Sequence, residues 1–408
     1  MNVRAERFPL FDGLRAIAAI AVLTFHAGYF ASIGNLHPPL ERFWGRLDVG
    51  VELFFLISAF LLYRPFVRAR LNGQPMPHVG AYAWRRFLRI VPAYWLALTV
   101  ISVWLGLSYV FTPAHVLTFY GFGQIYSVWG GLRGIGQAWT LCVEVTFYAF
   151  LPLWALFLRA VPAGDRRRRL TIEIAALVAL VILSELYKAW ALTRVAPAGL
   201  NQGPYLSPLP NFLDDFALGM ALAVASVWYE GRALPAPLAL ARRFPLACWA
   251  LALAAFWAVS TQIGFNGYLV QAVSRRTFVE QHALYAAVAF FLLLPAAFGE
   301  PGRGVVGRLL PSRLLSYLGL VSYGIYLWHF AVVKQLEQWL NPLLPGSWYA
   351  RFAVYLPLTL LGATAIASVS YYVLERPTLS LKRLFWADTR APRAEAPAEP
   401  APATPHSA

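Results

Sequence analysis

An arginine and a histidine eleven residues apart, Arg15 and His26, interrupt the otherwise apolar run FDGLRAIAAIAVLTFHAG. In an α-helix eleven residues make about three turns, so both side chains lie on one stripe, roughly 16 Å apart along the axis. A guanidinium fork suits phosphate oxygens, and an imidazole is the side chain whose charge changes near neutral pH. Other ionisable groups also stand within long apolar runs: Glu52, Glu144, His329, and the neighbours Asp214 and Asp215. At the centre of a membrane span such a group costs roughly 2.5–3.5 kcal/mol on insertion scales, which makes each a functional candidate. Local spacing adds polar stripes. Ser322, Tyr326 and His329 recur at steps of four and three on one helix face, and Glu144 and Tyr148 stand one turn apart. Asp12 is an i, i+3 partner for Arg15, and the run RRFLRI supplies Arg85, Arg86 and Arg89 ahead of Pro92. Tyr323, Trp328 and Trp139 read as packing or interfacial residues.

The elements that must position these groups are membrane spans. Of 408 residues, 59% are hydrophobic and only 13% charged, against about a quarter charged in soluble domains. Ten apolar runs are long enough to cross a bilayer, near 12–33, 49–70, 89–108, 139–160, 171–192, 209–229, 245–263, 281–299, 314–337 and 350–374. The fold class is therefore an all-α polytopic membrane protein, about ten helices enclosing a polar cavity. The net charge of +15 follows from topology, with no need for a nucleic-acid partner. If the termini are cytoplasmic, 25 of the 34 Lys and Arg fall on that side and nine on the other, which sets an N-in/C-in orientation by the positive-inside rule.

On that topology His26, Glu52, Glu144, His329 and the Asp214–Asp215 pair all reach the outer half of the bilayer, while Arg15, Arg85, Arg86 and Arg89 collect at its cytoplasmic face. Residues 1–386 form one membrane domain. The tail 387–408 is Ala-, Pro- and Glu-rich without periodicity, the composition of a disordered segment. The connection 109–138, rich in glycine and aromatics, reads equally as a surface loop or as a segment re-entering the bilayer. Both cysteines, Cys142 and Cys248, fall in spans, and neither a disulfide framework nor a metal site is indicated.

The motifs resemble the integral-membrane acyltransferase-3 family. FDGLRAIAAIAVLTFHAG is similar to its first-helix signature, an arginine, ten residues, then a histidine, here Arg15 and His26. GVELFFLISAFLL is similar to its second-helix acidic motif at Glu52. RRFLRIVPAYW, WTLCVEVTFY, FALGM, VSYGIYLWH and the ERP at Glu375 and Pro377 follow in the family's order. One departure stands at Ser58-Ala59, where the family usually has Ser-Gly, and an added methyl there bears on local packing.

The resemblance implies acyl transfer, commonly of acetyl, from acyl-CoA as co-substrate to a hydroxyl of an envelope carbohydrate or lipid-linked glycan, in a multi-pass protein of the bacterial cell membrane with no tightly bound cofactor. Under it, Arg15, Arg85, Arg86 and Arg89 hold the coenzyme A phosphates, and His26 acts as general base or transient acyl carrier, with His329 as a further catalytic candidate. Glu144 or Glu52 orients His26, and Asp12, Ser322, Tyr326 and Tyr148 give polar support. Some family members add an extracytoplasmic hydrolase-like domain. None is legible here, so transfer is expected to be completed by the membrane domain or a separate partner. Two other readings remain at this stage: O-acylation of a macrolide or other small molecule, and a transporter or flippase, which also needs buried charge.

Overall fold

The computed structural model describes residues 8–32, 40–127, 132–198, 203–264 and 274–383, and within them all regular structure is helical. The long helices are α1 (Pro9–Ser32), α2 (Gly50–Leu71), α3 (Val79–Trp104), α4 (Trp139–Ala160), α5 (Arg166–Ala198), α6 (Leu213–Trp228), α7 (Pro245–Thr261) and α8 (Arg275–Phe298). After them come α9 (Arg313–Leu320), α10 (Ser322–Leu340) and α11 (Trp348–Ser370). Among the described residues seven helices are long and apolar enough to cross a membrane, and nine if each bent pair counts as one span. The bent pairs are Ala236–Arg243 with α7, at 94°, and α9 with α10, at 73°. Helix α2, 22 residues long and carrying Glu52, Arg64, Arg68 and Arg70, is not in that set.

Helix α3 starts at Val79, ten residues before the span read from hydropathy, and runs through Pro92. The RRFLRI arginines are therefore part of a membrane-associated helix. His78 caps its start by accepting the Ala81 N–H through Nδ1 at 3.3 Å. Likewise the run read as one span near 314–337 is two helices that break at Val321. The connection after α3 is partly helical, with Pro113–Tyr120 and short 3₁₀ turns. The tail 387–408 lies outside the described residues.

Small residues bring the helices that carry polar groups into backbone contact. A Cβ on Gly13 would stand 2.3 Å from the Leu310 carbonyl oxygen, and one on Gly319 would stand 2.0 Å from that of Asp12. These close approaches pin the Arg15 end of α1 against α9. At Gly324 a Cβ would lie 2.8 Å from the Ala367 methyl, which seats α10 on α11. The Ala59 departure is absorbed in the same way. Ala59 is fully buried against Gly219 of α6, where a second methyl would come within 2.7 Å of its own. The rings of Phe55, Phe216 and Phe147 stack at centroid distances of 4.8 and 4.0 Å and lock α2, α6 and α4 together.

Candidate functional site

Helices α1, α2, α3, α4 and α10 enclose a cavity of about 230 Å³. Three guanidinium side chains line it, Arg15, Arg86 and Arg89. Two of them are held by carboxylates: Arg15 Nη1 donates to Asp12 Oδ1 at 3.1 Å, and Arg89 Nη1 lies 3.6 Å from Glu375 Oε2. Glu375 reaches inward from a π-helical turn, Tyr371–Glu375, that widens the end of α11 and buries the carboxyl group. Farther along the cavity the Ser58 hydroxyl donates to Glu144, whose carboxylate is within electrostatic reach of Arg15 and Arg86, with Tyr148 one turn on. Ser322, Tyr323 and Tyr326 of α10 line the opposite wall. Tyr323 is tied to α3 by donating to the Ile90 carbonyl at 2.8 Å.

Tyr326 closes the far end. Its hydroxyl donates to the Gln137 carbonyl at 2.7 Å and meets the Thr140 hydroxyl. One turn beyond it on α10, His329 is fully buried, and its Nε2 lies 3.1 Å from His26 Nδ1. The tautomers follow from the carbonyls that each ring touches. His26 Nδ1 stands 2.9 Å from the Val22 carbonyl and His329 Nδ1 stands 3.1 Å from the Ile325 carbonyl. A carbonyl oxygen only accepts, so both Nδ1 atoms carry the proton and neutral His329 presents a lone pair at Nε2. The His26 Nδ1–H is shared between the Val22 oxygen and that lone pair. His26 is thereby fixed with a basic, unprotonated Nε2, which has no hydrogen-bond partner among the described residues. The rings of Phe25 and Phe330, at 4.8 and 5.1 Å, bracket it edge-on.

The predicted residues therefore divide. Arg15, Arg86, Arg89, Glu144, Tyr148, Ser322 and Tyr326 share the cavity, Asp12 orients Arg15, and His26 and His329 form a contact pair just beyond the far wall. Arg85 does not line the cavity. It stands about 100° around α3 from Arg86 and is exposed. Neither carboxylate expected to orient His26 does so. Glu144 sits among the arginines, and Glu52 faces Asp48, Asp214 and Asp215 from the other side of α2. The imidazole of His329 occupies the position expected for a carboxylate. Tyr323, read as packing, lines the cavity. Ser58, Thr140 and Glu375 also belong to the site; all three stand within the motifs quoted above, but no spacing argument singled them out as site residues.

Comparison with known proteins covers nearly the whole chain. The profile of the family described as "Acyltransferase domain" matches residues 9–368. "Nodulation protein 10" of Rhizobium leguminosarum bv. viciae is 25% identical over 91% of this chain and 93% of its own length. "Exopolysaccharide production protein ExoZ" of Rhizobium meliloti is 29% identical over 81% of this chain and 89% of its own length. "Peptidoglycan O-acetyltransferase OatA" of Listeria monocytogenes is 23% identical over 90% of this chain, which spans only 55% of that protein. No solved structure matches the chain.

Proposed function

The chain belongs to the acyltransferase-3 family of membrane acyltransferases, and from that premise we propose that it carries an acyl group from a cytoplasmic acyl-CoA to a hydroxyl of a cell-envelope carbohydrate. The names of its relatives support the acceptor class, since they include a peptidoglycan O-acetyltransferase and an exopolysaccharide production protein. The contact between His26 and His329 at the far wall of an arginine-lined cavity is the observation that carries the reading.

Arg15, Arg86 and Arg89 bind the phosphates of coenzyme A from the cytoplasmic face, each guanidinium offering forked donors to phosphate oxygens. The pantetheine arm extends past Glu144 and Tyr326, and the acyl thioester meets His26. There His26 Nε2 takes the proton of the acceptor hydroxyl as its oxygen attacks the thioester carbonyl carbon. The tetrahedral adduct collapses, the C–S bond breaks, and the coenzyme A thiolate leaves with the proton from Nε2. During this cycle the imidazolium Nδ1–H is held by the lone pair of His329. Product is an oxygen ester and free coenzyme A, and the histidines return to their starting protonation.

The same reading takes ten passes with both termini in the cytoplasm. The seven long helices, the two bent pairs and α2 supply them, and the excess of Arg and Lys on one side supports the orientation.

The test is the purified full-length chain in nanodiscs with acetyl-CoA and an envelope oligosaccharide. Acyl transfer releases coenzyme A and places an alkali-labile ester on the sugar, read by mass spectrometry. Coenzyme A alone raises the melting temperature, as a ligand of the native state must. A protein that neither forms ester nor responds to coenzyme A contradicts the proposal.

A further inference from the structure

Two of the helices that form the arginine cavity, α3 and α10, also line a second one. At the opposite ends of α3 and α10, residues Leu105 and Lys334 belong to a cavity of about 200 Å³ roofed by the segment Leu132–Gln137. On α10, Lys334 is eight residues beyond Tyr326, roughly 12 Å along the axis. Tyr326 of the first cavity donates to the Gln137 carbonyl of the second, and the histidine pair packs beside this wall without lining either cavity. Tyr326 lines one cavity and Phe330 the other, and His26 touches Phe330 at 5.1 Å and His329 at 3.1 Å.

We propose that this second cavity is the acceptor subsite and that it selects a carbohydrate bearing a carboxylate or phosphate. The inference rests on the acyl-transfer reading above and adds to it where the acceptor sits and what charge it carries. Two cations line the cavity, Arg133 and Lys334, and no carboxylate does. Lys334 has no ion-pair partner among the described residues, while Arg133 lies 5.8 Å over the ring of Tyr109. Tyr109 and Phe330 add aromatic surface to its lining. Deeper in, Gln137 is 3% exposed, and its amide N–H groups are both used, at 3.0 Å each, on the carbonyls of Tyr326 and Leu327. Its Oε1 is left buried without a partner. A native protein rarely leaves such an acceptor empty, and the hydroxyl of a bound sugar satisfies it. The backbone is shaped for close approach here as well. Gly134 has φ +71°, and its N–H donates to the Tyr109 hydroxyl at 2.9 Å, which draws the roof onto the cavity.

The experiment measures binding apart from chemistry. The full chain in nanodiscs, saturated with coenzyme A, is titrated calorimetrically with three probes: a glucuronate-containing oligosaccharide, its carboxyl-reduced neutral counterpart, and a phosphorylated sugar. The wild-type protein is expected to bind the two charged probes about tenfold more tightly than the neutral one, the scale of one charge-assisted contact. Lys334→Gln abolishes that preference and Lys334→Arg retains it, with coenzyme A affinity unchanged in both. Which charged probe binds better identifies uronate or phosphate as the preferred group. Equal binding of charged and neutral probes by the wild type, or an unaltered preference in Lys334→Gln, overturns the proposal. A charge-selective protein that forms no ester leaves this subsite standing and removes the acyl-transfer reading instead.

Discussion

His329 holds its Nε2 3.1 Å from Nδ1 of His26 across the contact between α10 and α1, and each imidazole donates its own Nδ1–H to a carbonyl one turn earlier in its helix. The carbonyls thereby fix both tautomers, and His329 gives the His26 Nδ1–H a second acceptor. The arrangement leaves the basic nitrogen of His26 facing away from its partner, with a buried lone pair ready to stabilise the charge that appears on protonation.

From this follows the behaviour of His329 variants. His329→Ala is expected to lower kcat by about 10²-fold, within the range that a positioned base supplies, while the KM for acyl-CoA stays constant. His329→Gln restores part of the loss, because its amide oxygen can accept the same N–H. Steady-state kinetics on folded protein checks both, and a change confined to KM contradicts the assignment.

Arginines one residue apart should differ sharply. Arg86 lines the cavity and Arg85 is exposed. Arg86→Gln is expected to raise the acyl-CoA KM by about tenfold or more, the value of a charge-assisted contact, and Arg85→Gln to change it less than twofold. Parallel KM measurements decide it.

Glu375 acts on the donor through Arg89, from which it stands 3.6 Å. Glu375→Gln keeps the shape of the π-helical turn and removes the charge, so the expected effect is a rise in acyl-CoA KM in the same direction as Arg89→Gln, but smaller. The double variant should resemble Arg89→Gln alone, since the two changes act on one contact.

Gly219 gives a prediction about stability. A methyl there would lie 2.4 Å from the Leu56 carbonyl oxygen and 2.7 Å from the Ala59 methyl, and neither neighbour can turn aside. Gly219→Ala is expected to destabilise the contact between α2 and α6 by about 1–3 kcal/mol. A lowered melting temperature in nanodiscs shows it. Ala59→Gly does not rescue the variant, because the clash with the Leu56 backbone remains.

The membrane class, the helices and the Arg15–His26 stripe were legible because each depends on local spacing along one helix. Which carboxylate or ring reaches His26 was not. Depth in the bilayer follows from position in a span, and it puts Glu52, Glu144 and His329 in one layer, but lateral adjacency is set by which helices touch. Helix α10 packs on α1 where Ile325 meets the cluster of Ala16, Ala19 and Leu23, whereas Glu52 leaves α2 toward Asp215. The 73° break at Val321 was equally invisible, since hydropathy reads composition and not direction. Arg85 was grouped with Arg86 because a charge run has no face until the helix phase is known. The burial of Tyr82, Leu88, Ile90 and Ala93 against the neighbouring helices fixes that phase.

The most direct measurement is the acyl-transfer rate of His26→Ala, made on protein whose melting temperature and coenzyme A affinity match the wild type. The account predicts a fall of about 10²-fold or more, with donor binding intact. Transfer at the wild-type rate by that folded variant would contradict it.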